Sequence, residues 1–249
     1  MKILEILEID LFKQTDVDGL VEGNTDQECK KVVVTFLATM EILKKSLQIG
    51  ANFIISHEGI YYSHDNKKFL ENSKLAQEKQ DYIKKHNLTI YRHHDMVHRI
   101  LPDTITEGLV KQLDLADRVI TQSVYYTISE ISPTYLKDYV EKVKETLEVS
   151  TIKHFGEDNQ IIKKVCVLVG YRGSSDNLIP VIENQDVDLI IYGEGPEWEI
   201  PYYIKDYNTL NSNKKSIIII GHEVSEKYGM QMFMHNLKQK FPTLKVTYL

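Results

Sequence analysis

The chain is short of the residues that would narrow its class most quickly. Only two of its 249 residues are cysteine, Cys29 and Cys166, far apart and in no ligand-like spacing. That argues against a disulfide framework and against a cysteine-rich zinc site. No run of about 18 or more apolar residues occurs that could span a bilayer, so no membrane association is expected. The opening stretch, MKILEILEIDLFKQ, carries acids through its apolar part, unlike the uninterrupted core of a signal peptide, and a cytoplasmic location is expected. Basic residues are not in excess: 30 Lys and Arg stand against 36 Asp and Glu, for a net charge of -6. Such a balance has no general attraction for phosphate backbones, and nucleic acid is not an expected partner. Low-complexity segments and flexible linkers are missing as well.

What is present is ordinary globular material. A hydrophobic fraction of 42% and a charged fraction of 27% suit a soluble protein, and this length can bury a sizeable core as one large domain or two lobes. A short amphipathic helix to about Leu11 is expected, then a loop over Asp16–Asn24, DVDGLVEGN, marked by glycines and acids. From there strands and helices alternate. Buried strands are expected at 31–37, 51–56 and 88–92. Helices are expected at Met40–Gln48, capped by Thr39 and stopped by Gly50, at about 68–86, and at 102–113 with Asp103 or Thr104 as cap. The pattern at 119–130 suits an edge strand or a crossover, and Pro133 sits at an expected helix start before 134–147. A second series follows: strands at 151–155, 165–169, 189–192, 216–220 and 244–249, and helices at 174–184 and about 223–240, with a polar loop at 208–215. Alternation of this kind implies a largely parallel α/β arrangement in two successive halves.

In an open α/β sheet, ligands bind outside the carboxyl ends of the strands. Three separate strands here end in metal-competent groups: His57 and Glu58; then His93, His94 and His98; then His222 with Glu226. If a helix begins after Gly221, His222 and Glu226 lie one turn apart on one face and can share an ion. The plainer alternative is a surface histidine beside a glutamate favoured by the helix dipole. Taken together, the nitrogen and oxygen donors suit zinc, iron, manganese or cobalt better than calcium. The turn Val169–Ser175 lacks both the Walker lysine and the dinucleotide glycine spacing and is expected to be a strand-to-helix turn. Glu194, in the turn GEGPEWE, could be a general base, an anchor behind a ligand, or part of an ordinary loop. His86 suits a helix end, and His64, His154 and His235 have no grouping around them.

These motifs resemble those of the NGG-interacting-factor-like dinuclear-metal proteins, also catalogued as GTP cyclohydrolase 1 type 2 homologues. The resemblance runs over nearly the whole chain: DGLVEG near the start, FIISHEG, IYRHHDMVH followed by EGLVKQLDL, DLIIYGE and IIGHEVSE. It implies two similar, interlocked α/β lobes with largely parallel or mixed sheets, 1–123 and 124–249, and a metal site in the cleft between them. It also implies two divalent transition-metal ions (zinc, iron or manganese) on His57, Glu58, His98, His222 and Glu226, with His94 a nearby polar group. Glu58 stands where the family usually has histidine, and His98 where it usually has aspartate. The activity implied is metal-dependent hydrolysis of a small, nucleotide-like substrate, with Glu194 or His94 moving the proton. The alternatives are a non-catalytic metal carrier or a scaffold. The resemblance further implies a homohexamer.

Overall fold

The computed structural model describes residues 1–8, 12, 15–65 and 68–249. The opening helix is observed as α1 (Ile3–Leu7), and the remainder of its expected span, 9–11, lies outside the described residues. The chain forms two compact units, one of residues 1–100 with 230–249 and the other of residues 101–229. The C-terminal segment therefore closes the first unit, a return that a single cut after residue 123 does not include.

The first unit is built on a five-stranded sheet. Its strands are β1 (Gly19–Glu22), β2 (Val32–Thr35), β3 (Phe53–Ser56), β4 (Thr89–Arg92) and, from the C-terminal segment, β11 (Val246–Tyr248), in the order β1-β4-β3-β2-β11. β11, β2, β3 and β4 run parallel, and β1 is antiparallel to β4. All four residues of β2, β3 and β4 are buried, as befits central strands of a sheet covered on both faces, and β2 is an unbroken β-branched run. β1 corrects the expected loop at 16–24. Its partly exposed residues pair along the sheet edge with a bulge between Leu20 and Glu22, which hides the period-two pattern of a strand.

α2 (Met40–Gln48) starts where Thr39 accepts from the Ile42 amide at 3.2 Å, and Gly50 follows it at φ +74°. α3 (Lys74–Lys85) is shorter than expected. Ser73 accepts from the Ala76 amide and sets the start, leaving the first residues of the expected span in turns. Val33, Leu43, Ile54, Ala76, Ile83 and Ile90 form the centre of this unit's core.

The second unit carries a six-stranded sheet made of β5 (Val119–Gln122), β6 (Thr127–Tyr135), β7 (Lys153–Phe155), β8 (Ile161–Val167), β9 (Leu189–Tyr192) and β10 (Ser216–Ile219). The order is β5-β6-β8-β9-β10-β7, with β8, β9 and β10 parallel and the remaining pairings antiparallel. Both sheets are thus mixed, and the region 119–130 supplies the edge strand β5 together with the start of β6.

Pro133 lies inside β6 and not at a helix start. It falls where the β6–β8 register shifts, between Glu130 and Thr134, since proline has no N–H to give the ladder. The helix after it, α6, runs Leu136–Leu147. α5 (Thr104–Gln112) has the expected cap, Asp103 accepting from the Ile105 and Thr106 amides. α7 covers Ser175–Asn184, and α8 (Ile200–Leu210) is a helix the sequence pattern did not disclose, burying only Ile200, Pro201 and Ile204. α9 (His222–Lys240) starts in the second unit and ends in the first. Among the described residues no helix is long and apolar enough to cross a membrane, and both cysteines are buried and free.

Candidate metal-binding groups

In the first unit the parallel strands β2, β3 and β4 end side by side, and the residues just past β3 and β4 carry the chemistry. The His57 amide donates to Thr35 O at 3.1 Å and the His93 amide to Ser56 O at 2.9 Å, so the ladder continues one residue beyond each strand. His57 is fully buried, and its Nδ1 stands 3.0 Å from the His93 carbonyl. A carbonyl only accepts, so Nδ1 carries the proton and the Nε2 lone pair is the ligand-competent one. The His94 ring stacks on that of His57 with centroids 4.7 Å apart, and the His98 ring lies 5.2 Å from His57 and 5.1 Å from His94. Donor atoms of His57, His94 and His98 all fall within 4.8 Å of one another, as do those of Glu58, His64 and His94. His98 reaches this cluster from a single helical turn, α4 (Asp95–His98).

Buried charge holds the cluster together. The Arg92 guanidinium, 1% exposed, donates to the carbonyls of His57 (3.3 Å) and His64 (2.5 Å) and to Glu58 Oε2 (3.1 Å), and Nη2 lies 3.0 Å from His64 Nδ1. Burial lowers the Arg92 pKa, with the nearby carboxylates of Glu58, Asp18 and Asp95 opposing the shift. Burial and the Arg92 charge also lower the His64 pKa. For His94 burial acts in the same direction but is outweighed. Its contacts with Glu58 (3.5 Å) and with Asp95 (3.0 Å) raise the pKa above the ordinary histidine value. His93 is different: it is wholly buried between Phe12 and Phe233, and burial pushes its pKa down to about 3. It is a core histidine.

In the second unit the parallel strands β8, β9 and β10 lead into Gly170, Gly193 and Gly221. Gly221 turns at φ +93° into α9, which puts His222 and Glu226 one turn apart; His222 Nε2 is 3.1 Å from Glu226 Oε2. Two donors about 2.1 Å from one ion, at angles near tetrahedral or octahedral, stand roughly 3.0–3.4 Å from each other, so this pair has the spacing of two neighbouring ligands. His222 Nδ1 is held 2.9 Å from Glu194 Oε1, an arrangement that fixes the ring and leaves Nε2 toward Glu226. Gly170, at φ +57°, makes the room: a Cβ there would come within 2.3 Å of Glu226 Oε1 and 3.2 Å of His222 Nε2. Its amide donates to Ser225 Oγ at 2.8 Å, and its carbonyl accepts from the Glu194 amide at 2.8 Å.

Of the groups singled out in the sequence, the structure thus collects His57, Glu58, His94 and His98 in one unit, and Glu194, His222 and Glu226 in the other. One expectation is corrected: His64 does have a grouping around it, in Arg92, Glu58 and His94. It comes from the irregular stretch between β3 and α3, which has no periodicity to point inward. Arg92 and Gly170 were also overlooked. An arginine ending a buried strand is an available signal for the first; a glycine in a strand-to-helix turn says too little for the second.

Strand-end imidazoles and carboxylates in two mixed sheets define a class, an α/β protein with groups able to hold a metal ion. The chain belongs to the Duf34/NIF3 (NGG1p interacting factor 3) family, whose model matches residues 1–249. It is 24% identical over 239 residues to the GTP cyclohydrolase 1 type 2 homolog of Clostridium perfringens, covering 90% of this chain and 84% of the relative. A Staphylococcus aureus hypothetical protein has a similar crystal structure, with a TM-score of 0.77 at 18% identity over 100% of this chain and 96% of that one. Reduced HcgD from Methanocaldococcus jannaschii follows at a TM-score of 0.71 and 18% identity, with coverage of 100% and 98%. At such identities the two structures speak for the fold.

Proposed function

We propose that the protein binds two divalent transition-metal ions (zinc, iron or manganese) through His57, Glu58, His98, His222 and Glu226, and hydrolyses a small, nucleotide-like substrate. The observation that carries this reading is that donor atoms of His57 and His98 stand within 4.8 Å of each other, with the His57 tautomer set by a carbonyl. Bound metal would supply a water of lowered pKa and a Lewis acid for the electrophilic centre. The chain's own residues do the rest. Arg92 holds the Glu58 carboxylate in place, and Glu194 keeps the His222 proton on Nδ1. His94, beside Glu58 and Asp95, is placed to move the proton. A hollow of about 730 Å³ in the first unit, lined in part by Asp18, Glu22, Tyr61, His64 and Arg92, offers room for a small molecule beside these groups. The nucleotide class rests on the name of the Clostridium perfringens relative.

Elemental analysis of protein prepared without chelator is expected to find between one and two equivalents of a first-row metal, and hydrolysis of a nucleotide panel is expected to stop on chelation. Less than about a tenth of an equivalent after reconstitution would refute the metal reading. Stoichiometric metal with no turnover of any nucleotide would instead leave a metal carrier. The homohexamer is part of the same proposal, and light scattering that gives a monomer at micromolar concentration would remove it.

A further inference from the structure

We propose that Asp18 is a positioning residue that fastens the His94–His98 segment in the geometry metal binding needs. The inference rests on the metal-binding reading above for its consequence but not for its contacts. Past β4 the chain turns at His94 and makes only one helical turn, Asp95–His98, and no side chain of the segment caps it. A single turn cannot hold itself, because it fixes several dihedrals for one hydrogen bond and leaves its first amides without intrahelical acceptors. Asp18 supplies the acceptors from 76 to 78 residues away. Its carboxylate is 3% exposed. Oδ1 accepts from the amides of His94 and of Asp95 (3.0 Å), and Oδ2 accepts from the Met96 amide at 2.8 Å. Thr15 completes the clamp: its hydroxyl donates to Oδ2 at 3.2 Å while accepting from the amides of Val17 and Asp18.

Three amides on one ionised carboxylate form strong, charge-assisted bonds. They fix where the His94 and His98 rings stand relative to His57, whose own backbone is tied to β2. The acidic segment 16–24 thereby has a task, although none of its side chains belongs to the proposed ligand set. Partners behind a ligand set typically change metal affinity about 10- to 100-fold.

The test compares Asp18→Ala, Asp18→Asn and the parent. Zinc affinity is read against a chromophoric chelator, with the melting temperature of the metal-free protein alongside. Asp18→Ala is expected to weaken zinc binding about 10- to 100-fold. Asp18→Asn should recover part of that loss, since its amide oxygen can still accept from His94 and Asp95 while its NH2 opposes the Met96 N–H. Equal losses in both variants would mean that the acceptor retained for the His94 and Asp95 amides contributes nothing, and no loss in either would mean that the segment holds without Asp18; each result overturns the proposal. Hydrogen exchange of the His94, Asp95 and Met96 amides is measured without metal and is expected to be at least about tenfold faster in Asp18→Ala. That arm decides the clamp even if the parent binds no zinc, an outcome that would defeat the proposed function alone. Should Asp18→Ala fail to fold, Thr15→Val removes one contact to Oδ2 and is expected to give a smaller change in the same direction; unchanged exchange there, together with unchanged exchange in Asp18→Asn, would refute the clamp.

Discussion

The histidine cluster of the first unit and the His222–Glu226 pair of the second reach ligand-like geometry by opposite routes. The second uses regular structure. A strand, a glycine turn and a 19-residue helix place two side chains at i and i+4, and local periodicity alone makes them neighbours. The first uses irregular chain: residues one or two past a strand, a single helical turn, and His64 from a stretch without secondary periodicity. Irregular backbone has no geometry of its own, so it is held by buried polar contacts, the Arg92 guanidinium above all. Donor groups on regular elements therefore need space left open around them, whereas those on irregular elements need anchors.

Breaking an anchor should have the largest effect. Arg92→Met removes the cation facing Glu58 and the donors to two carbonyls, and leaves buried acceptors without partners. Loss of about 3 kcal/mol in urea unfolding is expected, and a loss under about 1 kcal/mol would mean that the first cluster holds without it.

Filling the open space in the second unit comes next. Gly170→Ala sets a methyl group against the Glu226 carboxylate at a positive φ, and about 2–3 kcal/mol should be lost. Gly50→Ala is the control: also at positive φ but with nothing within 4 Å, it should show the backbone strain alone, about 1 kcal/mol. Equal losses in the two variants would contradict the close-approach role of Gly170.

A pH-dependent effect separates the histidine cluster from its core neighbour. His93, with a folded pKa of about 3 against the usual 6.5, stays neutral in the folded protein where the unfolded chain takes up a proton. The unfolded state then binds more protons between these two values, so the His93 contribution to stability is lost as pH falls from about 6.5 toward 3. Between pH 7 and pH 5 this amounts to about 2 kcal/mol. His93→Phe, set between Phe12 and Phe233, should remove that pH dependence. Denaturant titrations at the two pH values check it, and a variant that loses as much stability as the parent would mean that His93 is not the group responsible.

Much of the fold was legible because it depends on local pattern. Unbroken runs such as Ile54–Ile55 and Ile217–Ile219 mark strands buried on both faces, and Thr39 and Asp103 mark helix starts whatever lies elsewhere. β1 and Pro133 were misjudged because a bulge and a register shift disturb the period by which a strand is recognised. α8 escaped because its buried residues, Ile200, Pro201 and Ile204, span little more than one turn, too little for helical periodicity to show.

The sequence by itself determined the alternation of strands and helices, the donors standing at strand ends, and the pairing of His222 with Glu226, all settled within one turn or one strand of chain. Only the tertiary structure decided that Asp18 would meet the amides of His94 to Met96, that Arg92 would join Glu58 to His64, and that Gly170 would clear space for Glu226. Those partners lie about 28 to 78 residues apart. No periodicity carries information over such distances, and contacts of that kind exist only once the sheets have brought their strand ends into register.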